Sequence, residues 1–369
     1  MVLCLLEVVA VRSGTKPAIR ELRRLIHAIF NLGAARFTYV VSPMEAIKAR
    51  SSQDGALVQY ITNNTLAAQS ISSIYPVPEV CLVFLKTYVA EGLDRTSYDV
   101  DANGTAVVST VAATCNNTIV ITHSGGINTM PWADNENVTA IIAAHFPGQE
   151  IGNSIVDVLY GAVNPSGHLP YTIAYNASDY NTAIANFTGT TDPSGWQSNF
   201  TEGLLIDYRY FDYANITPRY EFGFGLSYTT FSLSNLAVEP LATGISPLPG
   251  DVSGPNPPGG NPDLYTSLVS VTVTVTNTGA IPGAAVPQLY IAPPQSAMPP
   301  GTPPQALRGF EKIFLQPGQT SSVSFELLRR DLSFWDVGVQ QWRIPSGAFG
   351  VRVGFSSRDQ PVQGTVMLL

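Results

Sequence analysis

The chain has 369 residues, 45% of them apolar and 12% charged, so it can bury sizeable cores, and its length leads us to expect more than one domain. Nineteen Lys and Arg stand against 27 Asp and Glu, and the net charge of −8 excludes nucleic acid and an anionic membrane as partners, because phosphate neutralisation needs clustered cations. Three cysteines are too few for a disulfide scaffold, while 31 Gly, 28 Pro, 16 Tyr and 16 Phe point to turn-rich β structure.

Residues 1–33 read as an atypical N-terminal segment. The run 1–11 is apolar but broken by Glu7, has no basic start and no small-residue cleavage site, and is too short to span a membrane. It is therefore not read as a secretory leader. Residues 17–30 place Ile19, Leu22, Leu25, Ile26, Ile29 and Phe30 at helical spacing, which predicts an amphipathic helix.

From residue 34 the pattern alternates strands with helices. An apolar run at 81–85 predicts a buried strand, and an Ala- and Val-rich stretch follows at 105–114. Further runs lie at 118–123 and 138–144, and a helix is predicted over 149–160 with Ile151, Ile155, Val158 and Leu159 on one face. Strands separated by helices imply a mainly parallel sheet with covered faces. Cys81 and Cys115 each sit at a strand start, which fits either one bridge or two buried thiols.

Residues 238–262 have the Pro- and Gly-rich composition of a linker. Beyond them, 268–276 alternates as LVSVTVTVT, and short strands are expected at 288–291, 307–314, 321–327 and 349–355. That spacing predicts an all-β sandwich of immunoglobulin or fibronectin type. Eight Asn-x-Ser/Thr sequences, at Asn63, Asn103, Asn116, Asn137, Asn176, Asn186, Asn199 and Asn215, favour passage through a secretory pathway.

Three stretches carry a resemblance. PGQEIGNSIVDVLYGAVNPSGHLPYT at 147–172 is similar to the matching stretch of family-three glycoside hydrolases, and EGLLIDYRYFDYANITPRYEFGFGLSYTTF at 202–231 resembles the fungal β-glucosidases among them. LRGFEKIFLQPGQ at 307–319 with RRDLSFWD at 329–336 resembles their C-terminal fibronectin-like domain. The resemblance implies an α/β sandwich domain at 34–237 and a fibronectin type III-like domain at 263–369. It implies, as substrate, a β-glucoside or cello-oligosaccharide, with no cofactor and no metal. It also implies a partner: the (β/α)8 barrel that carries the family's nucleophilic aspartate in a Ser-Asp-Trp motif, a motif this sequence does not contain.

A retaining glycosidase works with two carboxyl groups about 5 Å apart, one a nucleophile and the other an acid and then a base. In the family the acid/base glutamate lies on a loop after an apolar strand of the sandwich domain. Counting from the Val-Phe of the 81–85 run, the resemblance assigns that role to Glu91; the competing reading is a solvated loop carboxylate. Leu93 stands where many family members have a tyrosine that stacks on the leaving-group sugar. Asp94 and Arg95 read as a loop-stabilising ion pair, and Glu150 as a helix-start residue held by capping and the helix dipole. Ser124 in His123-Ser124-Gly125-Gly126 lacks a nucleophile elbow and reads as a strand-to-loop turn. His27, His123, His145 and His168 have no metal-ligand spacing. The aromatic group from Tyr208 to Tyr228 reads as a strand-turn region given over to inter-domain packing. A non-catalytic carbohydrate-associated module, or a truncated fragment, is the alternative to an enzyme.

Overall fold

The computed structural model describes residues 2–7 (backbone only), 37–89, 95–184, 199–252 and 254–369. The first of its two units, Met1–Val163 with Tyr175–Asn199, is built on a five-stranded sheet. Its strands are β1 (Val2–Glu7), β2 (Leu57–Ile61), β3 (Val80–Lys86), β4 (Thr118–His123) and β5 (Val138–Ala143). All pair in parallel, in the order β2-β1-β3-β4-β5. Cys81 to Leu85 are all buried, as a strand covered on both faces requires.

The crossovers are α1 (Pro43–Gln53), α2 (Asn64–Gln69) and α3 (Gly104–Ala112), and α4 (Ile151–Leu159) follows β5. Ser42 and Glu45 close a capping box on α1, satisfying two backbone donors of its first turn. Ile47, Leu82, Phe84, Ile121 and Ile155 form the core between sheet and helices. Gly152 lets α4 approach the chain ahead of α1: a β-carbon there would lie 2.3 Å from the Ser42 carbonyl oxygen. The helix predicted over 149–160 thus begins as a short 3₁₀ turn and becomes α-helical at Ile151. The stretch at 105–114 is α3, with Val107, Val108 and Val111 buried on one side. Cys81 and Cys115 form a disulfide, and closing a loop of 34 residues contributes roughly 3–4 kcal/mol on a chain-entropy basis. The helix predicted over 17–30 lies outside the described residues.

Among its described residues the second unit, Asn164–Ala174 with Phe200–Leu369, contains the short helix α5 (Tyr208–Tyr213) and eleven strands. These are β6 (Phe231–Pro240), β7 (Ser267–Asn277), β8 (Gly283–Ala285), β9 (Gln288–Ala292), β10 (Ala306–Phe310), β11 (Ile313–Leu315), β12 (Thr320–Leu328), β13 (Phe334–Asp336), β14 (Gln341–Arg343), β15 (Ala348–Gly354) and β16 (Val362–Met367). The main sheets, β12-β7-β6 and β10-β9-β15-β16, are antiparallel. Val269, Val271 and Val273 sit opposite Leu327, Phe325 and Val323, all buried, because the two-residue period sends alternate side chains to one face. Leu289, Ile291, Val351 and Val353 from the other sheet complete this core.

Two details differ from the sequence reading. Val238, Glu239 and Pro240 belong to β6 and pair with β7, so irregular chain begins after them. The run at 307–314 divides into β10 and β11, separated by Glu311 and Lys312.

Candidate active site

In a doubly wound sheet of this strand order, ligands meet the carboxyl ends of the strands where the order reverses, here beside β1 and β3. The chain leaving β3 is Thr87, Tyr88 and Val89, and residues 90–94 follow. Glu91 lies outside the described residues, as do Leu93 and Asp94.

Both flanks of that segment are tied to the loop that leaves β4. Thr87 donates its N–H to the His123 carbonyl at 3.0 Å and its hydroxyl to Asn128 Oδ1 at 2.8 Å. The Arg95 guanidinium donates to the Ile127 carbonyl at 2.6 Å and to the same Asn128 Oδ1 at 3.0 Å. Thr129 donates its N–H to the Tyr98 carbonyl at 2.9 Å and its hydroxyl to Asp99 at 2.8 Å. The segment also closes on itself: the N–H of Asp101 reaches the Lys86 carbonyl at 3.0 Å, and the Asp101 carboxylate accepts from the Tyr88 N–H at 2.6 Å. Thr87 and Asn128 are buried, so the bond between them is made away from water, where leaving it open is costly.

Gly125 is what lets the two loops touch. A β-carbon there would stand 2.7 Å from Val89 Cγ2 and 2.8 Å from Phe146 Cε2. His123, at the end of β4, stacks on Phe84 with ring centroids 6.1 Å apart and an interplanar angle of 9°. Its Nε2 is enclosed and finds no hydrogen-bond partner among the described residues. Burial pushes its pKa down to about 4, so the imidazole is neutral in mildly acidic solution. Tyr98 and Tyr180 form a tilted ring pair 5.0 Å apart, both half-buried.

The other sequence candidates resolve differently. Ser124 is buried and its hydroxyl donates to the Gly126 carbonyl at 2.8 Å, the geometry of a turn. Glu150 makes no cap hydrogen bond, which corrects the capping assignment. Its carboxylate instead accepts from the Tyr39 hydroxyl and from Asn153 Nδ2, and Tyr39 first and Asn153 second hold it below the usual carboxylate range. That keeps it ionised and unsuited to acid catalysis. Tyr208 to Tyr213 form helix α5 rather than strand, and Tyr208 packs on Phe222 and Tyr290 at 4.7 and 6.0 Å within the second unit. Among the described residues no group of three or more His, Cys, Asp or Glu side chains is placed to hold a metal ion.

Asn128, Asp101 and Tyr98 escaped the sequence reading. The usable signal was positional: each lies in a loop at the carboxyl end of a predicted parallel strand, where such folds keep their polar side chains.

Comparison with known proteins decides the lineage. Residues 28–228 match the model of the glycosyl hydrolase family 3 C-terminal domain. The chain belongs to glycosyl hydrolase family 3. Residues 285–357 match the fibronectin type III-like domain. Among curated relatives, "Probable beta-glucosidase G" of Aspergillus flavus is 60% identical over 330 residues, covering 89% of this chain and 40% of that protein. "Beta-glucosidase cel3A" of Pyricularia oryzae is 42% identical, covering 91% of this chain and 46% of its own length. Among solved structures, the beta-D-glucoside glucohydrolase from Trichoderma reesei matches all of this chain and 52% of its own, with a TM-score of 0.85 and 38% identity. The family 3 chain thus spans 40% of the Aspergillus flavus relative and 52% of the solved Trichoderma reesei structure.

Proposed function

We infer that these residues form the acid/base half of a retaining β-glucosidase, acting on terminal β-glucosyl groups of cello-oligosaccharides or aryl glucosides. The observation that carries the reading is the pair of anchored flanks, Thr87–Val89 and Arg95–Asp101, at the carboxyl ends of β3 and β4, with Glu91 between them in sequence. The names of the matched relatives support the substrate class.

In this reading Glu91, protonated, gives its proton to the glycosidic oxygen as the bond to the anomeric carbon breaks. A carboxylate from a barrel domain attacks that carbon and forms a glycosyl ester. Glu91, now a carboxylate, takes a proton from water, which cleaves the ester and returns the glutamic acid. A general acid needs a raised pKa, and a cation close by would lower it. Arg95 and Asn128 act as positioning residues that hold the flank after Glu91.

The barrel is the partner this half needs. The alternative is a carbohydrate-associated module without turnover of its own. We also assign the protein to the secretory pathway as a glycoprotein, on the density of its Asn-x-Ser/Thr sequences; no helix among the described residues is long and apolar enough to cross a membrane. The test is hydrolysis of an aryl β-glucoside by the 369-residue polypeptide, alone and mixed with the N-terminal portion of a matched relative. Background turnover alone and Glu91-dependent turnover on mixing is expected. Turnover by the polypeptide alone that vanishes in Glu91→Gln overturns the half-site reading.

A further inference from the structure

Helix α5 ends in a Schellman motif. The N–H of Ile216 reaches the Phe211 carbonyl at 2.9 Å and the N–H of Asn215 reaches the Asp212 carbonyl at 3.3 Å. Asn215 occupies the left-handed position with φ 54°, where asparagine is the second choice after glycine. That accounts for an asparagine at 215 but says nothing of Thr217, which is exposed and makes the pair an acceptor sequence, Asn215-Ile216-Thr217. Asn215 is exposed as well, and two residues before it the ring of Tyr213 is 52% exposed.

Beside this turn lies a polar cleft of about 270 Å³ within the second unit, lined by Asn215 together with Asp212, Gln305, Arg352, Arg358 and Gln360. Its floor is internally bonded. Arg358 pairs with Asp212 at 2.7 Å and donates to the Ile216 carbonyl at 3.1 Å. Gln305 donates to Asp212 at 2.9 Å and accepts from Arg352 at 3.2 Å and Gln360 at 3.1 Å. A guanidinium carries five N–H donors, so Arg352 retains several for hydroxyl or acetamido oxygens. Elsewhere the fold is less accommodating: Asn137 is half-buried and its Nδ2 donates to the Ala112 carbonyl at 2.8 Å.

We propose that Asn215 carries an N-linked glycan whose first N-acetylglucosamine lies against Tyr213 and the Arg352–Gln360 side of this cleft, fastening the α5 turn to the turn at 355–360. The proposal rests on the secretory assignment above and adds the site and its contact. In the transfer, Nδ2 of Asn215 attacks C1 of the reducing-end sugar of a lipid pyrophosphate-linked oligosaccharide. The C1–O bond breaks, the lipid pyrophosphate leaves with the electron pair, and Nδ2 gives up one proton to the transferase. The sugar's acetamido and hydroxyl groups then meet donors, and its apolar face meets the tyrosine ring.

The test is expression of the full chain through the secretory route of a fungal host, followed by endoglycosidase trimming and mass spectrometry of the tryptic peptide 210–219. We expect that peptide to carry one residual N-acetylglucosamine, Thr217→Ser to keep it and Thr217→Ala to lose it. Asn215→Gly removes the acceptor while satisfying the left-handed cap, so it separates loss of glycan from loss of fold. Amide exchange over 355–360 should be several-fold slower in the glycosylated protein than in Asn215→Gly. An unmodified 210–219 peptide in material whose Asn63 or Asn176 peptides carry sugar overturns the proposal alone. A protein with no sugar at any acceptor overturns it together with the secretory assignment. A modified Asn215 with unchanged exchange at 355–360 overturns the cleft contact.

Discussion

Arg95 donates to Asn128 Oδ1 at 3.0 Å, and Asn128 is 1% exposed, so a cation on one loop is held by an amide buried under the other. The same oxygen takes the Thr87 hydroxyl. Asn128→Ala removes the acceptor from both donors at once. A hydrogen bond to a charged donor is worth about 1.5–3 kcal/mol, so a loss of about 2–3 kcal/mol in urea unfolding is expected. Asn128→Asp keeps the acceptor and should lose less. Equal losses for the two variants would count against the hydrogen-bonded hub.

Gly125→Ala places a methyl group 2.7 Å from Val89 Cγ2 and 2.8 Å from Phe146 Cε2. Overpacking of this kind costs about 1–3 kcal/mol. Because the clash is with Val89, Val89→Ala should recover part of the loss, and a double-mutant cycle over the two sites measures that coupling. Additive effects would show that the two residues do not press on each other.

His123 should make the first unit lose stability in acid. Its pKa is about 4 when folded and near 6.5 when free, so between those values the unfolded chain binds a proton the folded one does not. Stability is full above about pH 6.5, falls as pH drops towards 4, and then levels. The gap amounts to on the order of 3 kcal/mol. Urea midpoints for the wild type and His123→Gln, compared at pH 7 and pH 4.5, should show a smaller pH difference in the variant. An undiminished difference assigns the acid sensitivity to other groups.

Asp207 has φ 54° and ψ −134°, a backbone region that costs a non-glycine residue about 1–3 kcal/mol. Its carboxylate offsets that cost by accepting the Thr172 N–H at 2.9 Å, the Thr172 hydroxyl at 2.6 Å and the Tyr208 N–H at 2.6 Å. Asp207→Ala keeps the strain and loses the bonds; Asp207→Gly loses both. The glycine variant should therefore be the more stable of the two by about 1–2 kcal/mol in thermal or urea unfolding. The reverse order would rule out backbone strain at this position.

Legibility in the sequence followed burial. Strand β3 was readable because both its faces are covered, which leaves an uninterrupted apolar run at 81–85. Strand β7 was readable because one face is wet, which leaves Val and Thr in alternation. Strand β1 carries a similar apolar run at 2–6, but an apolar run at that place is equally the mark of a leader, and its role as a strand between β2 and β3 shows only in the pairing on both sides. Helix α3 looked ambiguous because β-branched residues fill it, and its helical burial shows only in three dimensions. The loop hub was hidden for a related reason. Asn128 lies 41 residues from Thr87 and 33 from Arg95, and the parallel pairing of β3 with β4 brings it to them.

The most direct test joins these 369 residues to the N-terminal portion of the 60% identical relative and compares Glu91→Gln with the parent on two substrates. One is cellobiose, whose leaving group needs a proton; the other is a dinitrophenyl β-glucoside, whose leaving group departs as an anion. Positioned acid catalysis contributes typically 10²–10⁴-fold, so cellobiose turnover should fall by about that factor while the rate of dinitrophenol release in the first turnover stays within about tenfold of the parent. Equal losses on both substrates, or none on cellobiose, would contradict the assignment of Glu91 as the acid/base.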